Sequence, residues 1–160
     1  MPVFTGVMSS SPVMYLATVA AVSAAAVGGL FYAFSTFVMR GLDRTGPVQA
    51  ATAMRGINAE AQANAPFLTL FLGSALIALV MGVAAVTQLR VPGSAWLLAG
   101  ALLALVPLVV TVACNVPLNN RFDAGLPWQD YYRTWTLWNH VRTIAPLAGS
   151  VLIVIGVRLR

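Results

Sequence analysis

Four stretches of the chain lack charged side chains and are dense in apolar ones, and polar connections separate them. Residues 1–39 hold no Asp, Glu, Lys or Arg, and neither do residues 61–89, 91–120 and 143–157. A helix rises about 1.5 Å per residue and needs about 20 apolar residues to cross a hydrocarbon core of about 30 Å. Residues 13–39 supply that length in the first stretch, 66–88 in the second and 95–114 in the third, whose centre reads AWLLAGALLALVPLVVTVAC. The fourth is short, since 15 charge-free residues reach only about 22 Å. Its helix must extend backward through YYRTWTLWNHVR. That sets the fourth crossing at 135–157 and brings His140 and Arg142 to the membrane boundary.

The connections carry their own signals. TQLRVPGS, between the second and third spans, is a short polar turn with Pro92 and Gly93 as breakers, so these spans are expected to be antiparallel. Pro66 falls at the start of its span, where a missing N–H is tolerated. Pro127 and Asp130 suit the first turn of the fourth helix, by fixed φ and by the helix dipole. In DRTGPVQAATAMRGINAEAQANAP, Pro47 can open a helix. Arg55, Asn58 and Gln62 then share one face and Met54, Ile57 and Ala61 another. The expected fold is all-α: a single domain over residues 1–160, an integral membrane four-helix bundle of up-down-up-down order. A short amphipathic helix over 47–63 joins the first two spans.

Composition strengthens this reading. The chain is 59% hydrophobic and 8% charged, with a mean hydropathy of +0.85. Ordinary domains carry about 25% charged residues, and so few ionised groups cannot cover a water-exposed surface. All nine bases are arginine, which removes lysine Schiff-base chemistry. The net charge of +5 is scattered with no basic run, so no nucleic-acid partner is expected. Arg40, Arg44, Arg55, Arg121, Arg133 and Arg142 fall on one side of the bundle and Arg90, Arg158 and Arg160 on the other. Positive-inside counting then places the first side in the cytoplasm and both termini outside, in a bacterial cytoplasmic membrane. The N-terminal MPVFTGVMSSSPVMYL has no base ahead of its apolar run, so it reads as part of a retained span rather than a cleaved signal. The one cysteine, Cys114, forms no intrachain disulfide and reads as an inert buried thiol.

Three polar clusters gather on one side of the expected bundle. In residues 28–40, Gly28, Tyr32, Ser35 and Met39 share a helical face. In CNVPLNN, Pro117 is expected to end the third helix by disfavouring helical geometry at Val116. Asn115, Asn119 and Asn120 then serve as helix caps, or as neutral donors to an oxyanion or quinone-like carbonyl. In YYRTWTLWNHVR, Tyr132, Trp135, Asn139 and Arg142 lie on one face, with Thr136, His140 and Thr143 one residue round. An interfacial aromatic belt with a snorkelling arginine explains most of this segment. Ionisable groups at membrane depth usually face the bundle interior, which leaves His140 as a functional group or a structural hydrogen-bonding partner. One histidine, one cysteine and four acids offer no metal-ligand spacing. Nucleotide-binding glycine loops, nucleophile elbows and hydrolytic carboxylate pairs are missing too. Asp43, Glu60, Asp123 and Asp130 all lie outside the spans or at helix ends, unlike the acids of proton-coupled transporters.

GLFYAFSTFVMRGL, MRGINAEAQANAPF, CNVPLNNRF and WQDYYRTWTLWNHVRTIA together resemble the anthrone oxygenase-like family of small four-helix membrane proteins. The resemblance runs over residues 15–157, with CNVPLNN and W-x-x-WNH-x-R its most specific parts. It implies oxidation of an anthrone to an anthraquinone by dioxygen, without flavin, haem or added metal. An anthrone's methylene is acidic because its conjugate base is an aromatic phenolate, and imidazole titrates near neutrality. The resemblance thus makes His140 the candidate base, with Asn139 and Arg142 beside it at the phenolate oxygen. Tyr32, Ser35, Arg55, Asn58, Asn115, Asn119, Tyr132, Trp135 and Trp138 become candidates for binding a hydrophobic aromatic small molecule. The expected cofactor is none, with dioxygen as co-substrate. The lipid bilayer is an expected partner, with a homo-oligomer or a membrane complex left open. The alternative is a non-enzymatic bundle that binds a lipophile or serves as an accessory subunit.

Overall fold

The computed structural model describes residues 12–160, so the start of the first apolar run lies outside the described residues. Among them the chain is all-helical and without strands: α1 Pro12–Asp43, α2 Pro47–Ala63, α3 Ala65–Thr87, α4 Ser94–Asp123 and α5 Trp128–Arg158. The four helices α1, α3, α4 and α5 are each long and apolar enough to cross a membrane.

Local chemistry sets the boundaries. Pro47 takes the first position of α2 after Gly46, whose φ of 92° favours glycine. Asn64 separates α2 from α3, and its Oδ1 accepts from Phe67 N at 3.0 Å. Extended Pro127 leads into α5, with Asp130 in the first turn. α5 thus begins seven residues before 135, as its short charge-free part requires.

The third helix corrects the expected stop at Pro117. α4 runs on to Asp123, and Val116 is helical with φ −63° and ψ −48°. A π-helical turn over Thr111–Asn115 makes this possible, with Val116 N donating to Thr111 O, five residues back. A proline ring clashes with the carbonyl four residues back in a regular helix. Widening the turn by one residue moves that carbonyl and lets the helix continue. α1 carries a second such turn at Phe34–Val38.

α5 packs against α1 and α4, while α3 packs against α4 and α1. Small residues line these contacts. Ala17, Ala20, Ala21, Ala24 and Gly28 form the buried stripe of α1. Gly100 of α4 meets Gly149 of α5 so closely that a Cβ on Gly100 would lie 2.7 Å from the Gly149 carbonyl. In lipid, close backbone approach of this kind supplies the van der Waals contact that holds helices together. Large aliphatic side chains such as Leu76, Leu79, Val83, Leu102, Val109 and Ile144 stand exposed on the outer faces. At one end Met39, Ala50, Met54, Leu118, Phe122, Trp128 and Tyr131 form a separate core. Asp43 Oδ1 accepts there from Trp128 Nε1 at 2.7 Å and from Gln129 Nε2 at 3.0 Å, tying the end of α1 to the start of α5.

Candidate active site

The buried positions of α5 recur at steps of three and four: Trp128, Tyr131, Trp135, Asn139, Arg142 and then Pro146, Gly149, Ile153 and Gly156. This is one face of a helix, and it carries a guanidinium into the bundle. Arg142 is 5% exposed. Its Cζ lies 4.4 Å from the centre of the Phe31 ring and 4.8 Å from that of Trp135. Its Nη1 donates to Thr111 Oγ1 at 3.2 Å and its Nη2 to Asn139 Oδ1 at 2.9 Å. Among the described residues no carboxylate pairs with it, the ion pair there being Arg55 with Asp123 at 3.7 Å. Its Nε is buried without a partner.

A closed polar network fixes this group from behind. Asn139 Nδ2 donates to Phe31 O and Ser35 Oγ, both at 2.8 Å. Thr143 Oγ1 donates to Asn139 O at 2.9 Å, which leaves the Ser35 proton for Thr143 Oγ1 at 3.0 Å. Every polar atom of the Asn139 amide is thereby engaged, and its free rotation is removed.

In front of Arg142 lies a cavity of about 750 Å³, within the ~300–1,000 Å³ typical of small-molecule sites. Phe31 and Phe34 of α1, Phe67 and Phe71 of α3, and Trp135 of α5 give it aromatic walls. Phe67 and Phe71 stack at 5.6 Å, and Phe31 meets Phe71 edge-on at 5.9 Å. Thr111, Asn115 and Asn119 line it from α4, on and just beyond the wide turn. Asn115 is 1% exposed, and neither its Oδ1 nor its Nδ2 has a partner. Buried amides are ordinarily hydrogen-bonded, so an unpartnered one beside a cavity marks a candidate contact for a polar ligand group. Nearer the end core, Tyr131 donates to Asn119 Oδ1 at 2.9 Å and accepts from Asn58 Nδ2 at 3.2 Å.

The residues expected from the sequence divide into three groups. Arg142, Trp135, Asn58, Asn115 and Asn119 line the cavity together. Asn139 and Ser35 sit behind Arg142 and position it, and Arg55 lies outside, over the Phe122 ring at 4.6 Å, with Nη2 donating to Phe122 O at 3.0 Å. Tyr32, Tyr132, Trp138 and His140 do not line the cavity. His140 is exposed, with Leu137, Val141 and Ile144 on the outer face of α5. The reason is rotational: one residue beyond Asn139 is about 100° round the helix. Tyr32 leaves its expected shared face likewise. The buried stripe of α1 passes through Gly28, Phe31, Ser35 and Met39, and Tyr32 is 55% exposed.

Sequence reasoning also assigned the site to three spans and α2, whereas α3 contributes Phe67, Leu68, Phe71 and Leu72 as a further wall. The Phe67–Phe71 spacing of four was the signal available. Thr111 was missed inside its apolar run, although it stands four residues before Asn115. Among the described residues no three of His, Cys, Asp and Glu lie close enough to hold a metal ion. Guanidinium, amide, hydroxyl and aromatic groups instead suit a flat ligand with an oxyanion or carbonyl at one edge.

Comparison with families of known sequence matches residues 67–152 to the family described as anthrone oxygenase. Comparisons with curated proteins and with solved structures gave no match. The matched region spans most of the chain's second half and includes Phe67, Phe71, Thr111, Asn115, Trp135 and Arg142, which line the cavity. On that match, over more than half its length, the chain belongs to the anthrone oxygenase family.

Proposed function

We propose that the chain is a membrane-embedded oxygenase that uses dioxygen to turn an anthrone-like polycyclic phenol into a quinone, with no cofactor in the reaction. In this reading α1, α3, α4 and α5 cross the bilayer in alternating directions and α2 lies across one end. The observation that carries it is Arg142: a buried guanidinium, unneutralised by any carboxylate among the described residues, in the wall of an aromatic cavity. A guanidinium buried among aromatic rings favours an anionic ligand oxygen.

An anthrone bound with its carbonyl oxygen toward Arg142 and Asn115 loses a proton from the methylene across the ring. The resulting phenolate oxygen is held by these donors, which gain strength as the charge develops. The electron-rich carbanion gives one electron to dioxygen, and the radical pair combines to a peroxide at the former methylene carbon. Loss of water leaves the second carbonyl, so anthrone and dioxygen become anthraquinone and water. In this scheme the methylene faces away from Arg142, toward the polar cavity residues Glu60, Gln62, Asn64 and Asp123. Glu60 takes the methylene proton in this scheme and returns it to the peroxide anion, and water then leaves with the second hydrogen of that carbon. His140, the base expected from the sequence, has its side chain on the outer face and takes no step.

The test is oxygen uptake and quinone absorbance by the detergent-purified protein with emodin anthrone. Arg142→Gln should lower turnover by about 10²–10³-fold, the scale for removing an oxyanion donor, and His140→Ala should leave it within about twofold. Glu60→Gln should lower turnover with little change in KM. Wild-type turnover at the spontaneous rate, or full activity in Arg142→Gln, would sink the oxygenase reading. Binding without turnover would favour a lipophile carrier.

A further inference from the structure

Two groups of exposed or half-buried residues with opposite character line the cavity. One is the polar rim of Glu60, Gln62, Asn64, Asn120 and Asp123. The other lies between α3 and α4, whose Leu68, Leu72, Val112 and Val116 also line the cavity. Leu72, Val112 and Val116 line the cavity and are also 50%, 63% and 43% exposed. A side chain that lines a cavity and stands open to the outside marks a gap in the wall.

The helix packing explains the gap. α3 packs closely along Ser94–Val110 of α4 but not along Thr111–Asp123. The two helices part at the wide turn, where α4 turns its continuation toward α5 and the end core. No hydrogen bond or ion pair joins α3 to Thr111–Asp123 among the described residues. The polar rim is closed differently. Arg55 Nη2 donates to Phe122 O at 3.0 Å and Asn58 Nδ2 to Tyr131 Oη at 3.2 Å, which together bind α2 to α4 and α5. Widening the rim breaks these bonds, whereas parting the aliphatic edges of α3 and α4 breaks none.

We propose that the fissure between Leu68/Leu72 of α3 and Val112/Val116 of α4 is a lateral port, through which a flat lipophilic aromatic passes directly between the bilayer's hydrocarbon and the cavity. This rests on the reading of the cavity as a membrane site for such a molecule. A planar polycycle partitions into hydrocarbon. It slides through edge-first, its oxygen-bearing edge toward Arg142, and its apolar body is never transferred to water. Dioxygen, itself apolar, takes the same path.

The test uses emodin, a coloured anthraquinone that needs no turnover, with the protein reconstituted in phosphatidylcholine vesicles and binding followed by stopped-flow fluorescence. Val112→Trp narrows the fissure, and Ala61→Trp narrows the rim, where Ala61 lines the cavity between Glu60 and Gln62. A port is a barrier common to both directions, so Val112→Trp should slow association and dissociation alike. The expected effect is roughly tenfold each, about 1.4 kcal/mol of barrier, with Kd nearly unchanged. Ala61→Trp should leave both rates within about twofold. Val116→Trp is the second fissure variant, and circular dichroism checks that each protein is folded. Slowing by Ala61→Trp but by neither fissure variant, a change in Kd alone, or no binding of emodin overturns the proposal. Because binding is read without oxidation, a port without oxygenase activity leaves this inference standing and removes the oxygenase reading.

Discussion

Two asparagines on facing helices have opposite relations to the protein around them. Asn139 holds Phe31 O, Ser35 Oγ and the Arg142 guanidinium, while Asn115 holds nothing. An unmade buried hydrogen bond costs about 1–3 kcal/mol. Asn139→Ala should therefore destabilise the protein by about 2–3 kcal/mol, since it strands several partners. Asn115→Ala should leave the thermal midpoint in detergent unchanged or raised, while emodin affinity and anthrone turnover fall at least about tenfold. A loss of stability in Asn115→Ala would mark that amide as structural. That Arg142, Trp135, Asn58, Asn115 and Asn119 turn inward to the cavity was legible, because polar and aromatic groups inside or beside apolar runs need an interior destination. His140 passed the same test of composition and failed on angle, since its neighbour Asn139 takes the inward position.

Close contacts and wide turns decide the outcome at the level of elements. The backbones of α4 and α5 nearly touch at Gly100 and Gly149, so Gly100→Ala sets a methyl against the Gly149 carbonyl and Ile153. The expected loss is about 1–3 kcal/mol, read from thermal unfolding in detergent. Gly29, in the same kind of helix, has nothing within 4 Å of an added Cβ. Gly29→Ala should stabilise by up to about 1 kcal/mol, and equal effects of both substitutions would remove the packing argument. The wide turn before Pro117 is the other element-level device. Proline was legible as a disturbance of the helix, but whether the chain breaks or widens there depends on what its continuation packs against. Leu118 and Phe122 are buried in the end core, which favours continuing.

For the whole molecule, the alternating order of crossings predicts that the connections at Arg44 and Ala124 face one aqueous side, and that the connection at Arg90 and the end of α5 at Arg160 face the other. Single cysteines at these positions, in a Cys114→Ser background, labelled by an impermeant maleimide in intact cells, check this. Labelling of Arg44 and Arg90 positions from the same side contradicts the order. The sequence by itself determined the four apolar helices, the helix between the first two, the backward extension of the last, and the crowding of polar groups toward one end. These follow from hydropathy, length and helix-ending chemistry, which are local. Only the tertiary structure decided which members of that crowd meet. A cavity depends on the rotation of each helix to within a fraction of 100°, and that rotation is set by glycine contacts and by turns that shift register by one residue. So Arg142 acquired aromatic faces from α1 and its own helix, Asn115 was left with open hydrogen bonds, α3 became a wall with a gap beside it, and His140 was turned outward.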